Sequence, residues 1–269
     1  YNSGSPQKIG LVDGLTAGTR ADLYLEPRRV LRQKQQELKP WQYVPKKQLP
    51  ENLVEKKQFW YGVFYDPVVL LVKHQYARNL GQDKLTTWSD LPQAASCRIT
   101  MENLTDRDST REFLAGMASH MGEIEAIQYF RNLKPRITSY GKTPFNSIRM
   151  VTVGDADIAV TRRSDVMKYL ESDFPAYILQ PLEGSPATLY GLALDKAGAQ
   201  DKAAADFLEW LLTSPEARKI LRLQQNGFLP VLDEKGEPAD SSKIWLNTSY
   251  EDVQALDRLA NVWLKEIRF

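Results

Sequence analysis

The sequence predicts an α/β protein with mostly parallel sheets, and three observations carry that prediction. Short apolar runs rich in β-branched residues, such as "FWYGVFYDPVVLLVK" (59–73), "CRITM" (97–101) and "DIAVT" (157–161), have the composition of buried strands. Segments with apolar residues at helical spacing alternate with them, as at 109–131 and 250–267. Caps, prolines and glycines punctuate the joins. Strands alternating with helices build parallel sheets through crossover connections.

Taken in order, Tyr1-Asn2 is the tail of a strand, and Ser3-Gly4-Ser5-Pro6 is a helix start. A helix follows through Ile9, Leu11, Val12 and Leu15, and "ADLYL" (21–25) is a short buried strand. Residues 28–58 are basic and punctuated by Pro40, Pro45 and Pro50, with a helix near 28–38 and then loop. The aromatic run at 59–73 is expected as two strands broken at Asp66-Pro67, since proline cannot donate to a ladder. "TTWSDLPQ" (86–93) is a capped helical turn, and residues 109–131 form one helix or two, with Gly122 as the break. "RITSY" (136–140) is a strand and "TPFNSIRMVTVG" a capped helix. After "DIAVT" a helix runs to about Glu171, followed by the strand "AYILQP". A strand within "EGSPATLYGLALDK", one long helix over 201–224 and a last amphipathic helix over 250–267 complete the chain. Val253, Leu256, Leu259, Val262, Trp263 and Ile267 share a face of that helix, while Phe207, Leu208, Leu211 and Leu212 form a core stripe on the long one.

Composition narrows the function. The chain has 269 residues, 42% hydrophobic and 26% charged, and 35 basic against 34 acidic residues leave a net charge of +1. Nucleic-acid binders carry a strong basic excess, so that class loses weight. No stretch approaches the roughly 18 continuous apolar residues of a membrane span. Cys97 is the only cysteine, which rules out an internal disulfide and favours a small buried hydrophobe. His74 and His120 lie far apart and in no zinc-type spacing. There is no G-x-S-x-G elbow, P-loop or G-x-G-x-x-G. No catalytic residue, metal site or cofactor is expected.

The stronger signal is a set of polar loops at strand ends leading into helices, the edge where open α/β sheets bind ligands. Ser3-Gly4-Ser5, Glu26, Thr105–Thr110 and Thr161–Asp165 stand there, with Thr143–Ser147 a weaker fifth. Each Ser, Thr or Asp taken singly is equally a helix cap. Arg162 and Arg163 are different. They occupy a helix start, where free N–H groups and about half a positive charge disfavour cations. Either they pair with Asp155, Asp165 or Glu171 or reach solvent, or they grip a bound anion with forked hydrogen bonds.

The run "NSGSPQKIGLVDGLTAGTRADLYLEP" resembles the second strand, helix and third strand of bacterial solute-binding proteins of ABC importers. The nearest group is the type II class that includes ferric-iron, thiamine and phosphorylated-compound binders. "GDADIAVTRRSD", "PLEGSPATLYGLALDKAGAQDKAAADFLEWLLTSPEARKIL" and "NGFLPV" extend the resemblance over nearly the whole chain. It implies two lobes, each a mostly parallel sheet flanked by helices, joined by crossing strands and closing on a ligand like a hinged trap. Residues 1–88 and 185–232 would form lobe 1, and 89–184 and 233–269 lobe 2. The family's first strand and helix, about 30 residues, find no counterpart, so lobe 1 is expected to be incomplete.

The resemblance further implies a periplasmic protein that hands its cargo to an inner-membrane permease, acting as a monomer, without nucleic acid and without enzymatic activity. Ferric-iron binders of this class place two adjacent tyrosines where this chain has Arg162 and Arg163, and a guanidinium cannot ligate Fe³⁺. The cargo expected is therefore a small molecule bearing phosphate or carboxylate. Arg162, Arg163, Thr161 and Ser164 would hold it from lobe 2, with Thr105, Asp106, Arg107, Ser109 and Thr110 completing that face. Ser3, Gly4, Ser5, Glu26, the crossing residues Tyr65 and Asp66, and Tyr190 and Gly191 on the return crossing are the further candidates. A ferric-iron binder with an atypical site, the sensing domain of a regulator, and a transferase on the same fold are the competing readings.

Overall fold

The computed structural model describes residues 22–41, 49–80, 85–94, 96–169, 174–196, 202–223 and 227–269. Ser3, Gly4, Ser5 and the helix expected after them lie outside those residues. In chain order the elements are β1 (Leu23–Pro27), α1 (Arg28–Gln33), β2 (Leu38–Lys39), β3 (Trp60–Lys73), α2 (His74–Leu80), β4 (Ile99–Glu102), α3 (Asp108–Met121) and α4 (Glu123–Leu133). There follow β5 (Ile137–Gly141), α5 (Pro144–Val153), β6 (Ile158–Arg162), α6 (Arg163–Met167), β7 (Ala176–Leu179) and β8 (Ser185–Asp195). Helices α7 (Lys202–Thr213) and α8 (Pro215–Leu223), strands β9 (Leu229–Pro230) and β10 (Ile244–Trp245), and α9 (Val253–Trp263) complete the series. A π-helical turn, Leu264–Arg268, extends α9.

Two compact units divide the chain. One draws on Tyr1–Phe64, Leu189–Arg222 and Pro230–Ala239, the other on Tyr65–Thr188, Leu223–Leu229 and Asp240–Phe269. The sequence places the first change at 88/89; the units change at 64/65, inside β3, and again at 188/189, inside β8. In the first unit β1 runs antiparallel to β8 with Glu26 opposite Gly191, and β2 joins β8 at its far end. In the second, β4 lies parallel to both β5 and β6, while β3 runs antiparallel to β6 and β7. The α/β class stands, with sheets that are mixed because the long strands enter against the direction of the βα repeats.

The second unit's sheet is buried on both faces. Along β3, Val68, Leu70 and Val72 join the cluster that contains Trp88, Phe113, Phe130 and Trp263, whereas Val69 and Leu71 join Ile148, Val151 and Val166. This two-residue alternation between two apolar layers explains the unbroken "VVLLV" run, which a sheet wet on one face would not tolerate. Each fully buried Val or Leu contributes about 1.5–3 kcal/mol of transfer free energy.

Local chemistry set several boundaries as expected. Gly122, at φ +97°, separates α3 from α4. The Thr143 hydroxyl caps α5 by accepting from the Asn146 N–H at 3.4 Å. The 86–93 turn is closed by Asp90, whose carboxylate accepts from the N–H groups of Thr86 and Thr87 at 2.8 and 2.7 Å.

Four expectations are corrected. β3 is one 14-residue strand that passes straight through Asp66-Pro67, and its ladder to β6 starts only at Val68, beyond the proline. The long helix over 201–224 is two: Pro215 has no N–H to continue α7, and the Ser214 hydroxyl caps α8 by accepting from Glu216 and Ala217 at 3.1 and 3.4 Å. α6 ends at Met167 rather than near Glu171, which lies outside the described residues. In the core stripes Leu208 and Leu212 are buried, yet Phe207 and Val253 are exposed.

Candidate functional site

The C-terminal ends of β4 and β6, adjacent and parallel, meet the start of α3 in the second unit. They enclose a recess of about 20 Å³, room for roughly one water-sized group. Glu102, Ser109, Thr110, Thr161 and Arg162 supply its polar lining, and Met101, Phe113 and Val160 are among its apolar walls. Thr161 is only 3% exposed, and its Oγ1 is buried without a hydrogen-bond partner in the structure. Buried hydroxyls are ordinarily paired, because leaving one unpaired costs about 1–3 kcal/mol.

Glu102 ends β4 and is 7% exposed. Burial pushes its carboxyl up to about 7, against the pull of the Arg162 and Arg107 guanidiniums. The nearest Arg107 nitrogen stands 3.7 Å away. Glu102 was not among the sequence candidates, although an acid closing an apolar strand at the ligand edge was the available signal.

Arg162 stands just before α6, makes no capping hydrogen bond and leans back onto acids. Its Nε and Nη2 donate to one oxygen of Asp165 at 2.8 and 2.7 Å, and its Nε stands 4.0 Å from Asp66. Asp66 is fully buried and accepts from the Ser164 N–H at 3.1 Å and the Ser164 hydroxyl at 2.6 Å. Burial raises its carboxyl to about 6, and Arg162 and Ser164 oppose that rise. Arg163 turns elsewhere. Its Nη1 donates to the Gly227 carbonyl at 2.9 Å, and burial lowers the guanidinium's pKa, opposed by Asp66. The two arginines are thus tolerated at a helix start for two reasons: acids and a carbonyl offset their charge, and a five-residue helix has little dipole.

The remaining candidates fall into distinct places. Thr110 is buried and fastens the start of α3: its hydroxyl donates to the Arg107 carbonyl at 3.0 Å and accepts from the Arg107 N–H at 3.3 Å. The Thr105 hydroxyl donates to Asn103 at 3.0 Å, and Asp106 is exposed. Tyr65 is buried beside Ser241, its phenol raised to about 12 by burial. Glu26, Tyr190 and Gly191 are buried together in the first unit, where Pro27 faces Tyr190 across the ladder. A β-carbon on Gly191 would come within 2.8 Å of the Leu31 side chain and 3.2 Å of Trp60, so this glycine serves close packing. Cys97 is buried, with its thiol raised to about 11 by burial, as suits a small hydrophobe. Among the described residues no three His, Cys, Asp or Glu side chains group as a metal site.

The fold is that of type II periplasmic binding proteins. The periplasmic binding protein AfuA of Actinobacillus pleuropneumoniae, with fructose-6-phosphate bound, matches at TM-score 0.69 and 19% identity, covering 94% of this chain and 84% of that one. FutA of Trichodesmium, in complex with iron and citrate, matches at 0.69 and 19% over 93% and 84%. The ferric binding protein of Campylobacter jejuni matches at 0.63 and 19% over 92% and 82%. The sequence pattern of the bacterial extracellular solute-binding proteins matches residues 42–229, and the chain belongs to that family, a non-enzymatic class. A Haemophilus influenzae protein described as uncharacterised is 24% identical over 163 residues, 58% of this chain. The match spans 47% of that relative, so the chain covers about half the length of the curated protein it matches.

Proposed function

We propose that the protein is the periplasmic capture component of an ABC importer, binding a small molecule that bears phosphate or carboxylate and passing it to an inner-membrane permease. The observation that carries this reading is the guanidinium of Arg162 at a recess also lined by Thr161, whose buried Oγ1 has no partner. A forked donor suits an anion's oxygens. The side chain of Arg162 is 12% exposed, so its field is little screened by water. Among the structural neighbours, one holds a phosphorylated sugar and another iron with citrate. Arg162 and Arg163 oppose direct Fe³⁺ ligation, which favours the anionic cargo.

The test is a thermal-shift screen of sugar phosphates, phosphonates, dicarboxylates and ferric citrate, followed by calorimetry on the compounds that stabilise. Anions should raise the melting temperature, and ferric iron alone should produce no visible charge-transfer band. Arg162→Ala should weaken binding by about tenfold or more. Because it also strips a cation from the buried acids Asp165 and Asp66, Arg162→Lys, which keeps the charge but not the fork, is measured beside it. Both are titrated at temperatures where circular dichroism shows them folded. Stabilisation by neutral or cationic compounds alone would defeat the reading.

A further inference from the structure

We infer that the recess beside Arg162 is a subsite for a hydroxyl group of the ligand, held between the Thr161 hydroxyl and the Glu102 carboxyl. The cargo is then a hydroxylated anion, a hydroxy acid or a polyol phosphate. This rests on the anionic reading above and sharpens it.

Three features converge. The Thr161 hydroxyl lines the recess, is buried, and lacks a partner, whereas a valine would fill the same volume without a polar atom to satisfy. Glu102 lines the same recess from the neighbouring strand, and a carboxyl there accepts from a hydroxyl that in turn accepts from threonine. One O–H group therefore satisfies both residues at once. Size and polarity exclude the other occupants. With room for roughly one water-sized group between walls of Met101, Phe113 and Val160, the recess would strip a phosphate or carboxylate of its water and leave most of its oxygens facing apolar groups. An ammonium group would meet the Arg107 and Arg162 guanidiniums that face Glu102. The anionic end is left to Arg162 at the edge, and the hydroxyl enters.

Matched pairs test this: malate against succinate, and glycerol 3-phosphate against propyl phosphate, by titration calorimetry on wild type, Thr161→Val and Glu102→Gln. Circular dichroism melts confirm that the variants fold. The hydroxylated member of at least one pair should bind about tenfold or more tightly, as a site built for a hydroxyl rejects its deoxy analogue. Thr161→Val should cut that preference to about twofold or less, and Glu102→Gln should reduce it. Equal affinity within each pair would mean that the recess holds a water, overturning this inference while leaving the anionic reading in place. Failure of all four compounds to bind, where the wider screen finds stabilising anions that carry no hydroxyl, would overturn this inference alone; the anionic reading falls only if that screen finds no anion that stabilises.

Discussion

Two buried polar groups of residues lie next to each other in the second unit, and they are finished to different degrees. Behind α6, Asp66, Ser164, Arg162 and Asp165 answer one another, with both oxygens of Asp66 engaged by Ser164. At the ends of β4 and β6, Thr161 carries a buried hydroxyl with no partner and Glu102 a carboxyl destabilised by its own burial. A satisfied network specifies a fold, whereas an unsatisfied one holds capacity for something else. Arg162 belongs to both: it bonds Asp165 in the first and lines the recess of the second.

Breaking the finished group should have the largest effect. Asp66→Ala leaves the Ser164 donors buried and removes an acid from beside Arg162, at an expected cost of about 3–5 kcal/mol. Urea denaturation monitored by tryptophan fluorescence measures it, and a loss below 1 kcal/mol would show that the two groups are not distinct in kind.

The next effect is read against pH. Glu102 titrates near 7 in the folded protein against an ordinary value of 4.5. Across that window the folded state holds a proton that the unfolded chain has released. Stability therefore falls as pH rises from about 4.5 to about 7 and is level above. Asp66, raised from 3.8 to about 6, adds a slope of the same sign at lower pH. Glu102→Gln should flatten the decline in ligand-free melts between pH 5 and 7.5, by on the order of 1–3 kcal/mol. Parallel wild-type and variant curves would place the titration elsewhere.

Smallest and sharpest is Thr161→Val. With no partner to lose, the ligand-free protein should gain about 1 kcal/mol, or about 2 °C in melting temperature. A loss of similar size would show that the hydroxyl is already satisfied.

Legibility followed the range of the forces involved. The Gly122 break, the Thr143 cap and the 86–93 turn depend on residues within four positions of one another, and composition alone revealed them. The unbroken course of β3 through Asp66-Pro67 depends on β6 and β7, remote in sequence, and so the dipeptide was misread as a stop. Ser214-Pro215 did carry a local signal, but the apolar spacing on either side outweighed it. Glu102 was hidden because a strand's last residue and a loop's first look alike in one dimension. Arg162 was visible as an oddity against the helix field, and its pairing with Asp165, three positions on, was one of the readings the sequence offered; the buried Asp66 behind it, 96 positions away in sequence, was not legible as a neighbour.

Gly227 deserves a final consequence. At φ +86°, it sits so near the start of α6 that a β-carbon would lie 2.4 Å from the Cα of Ser164, and its carbonyl holds Arg163. Pressed by a glycine from one direction and tethered to a sunken acid from another, this helix start has no slack. On the proposed reading, a cargo meeting Arg162 would find its grip already set, with little ordering left to be done at the moment of capture, and release would come from moving something other than this corner.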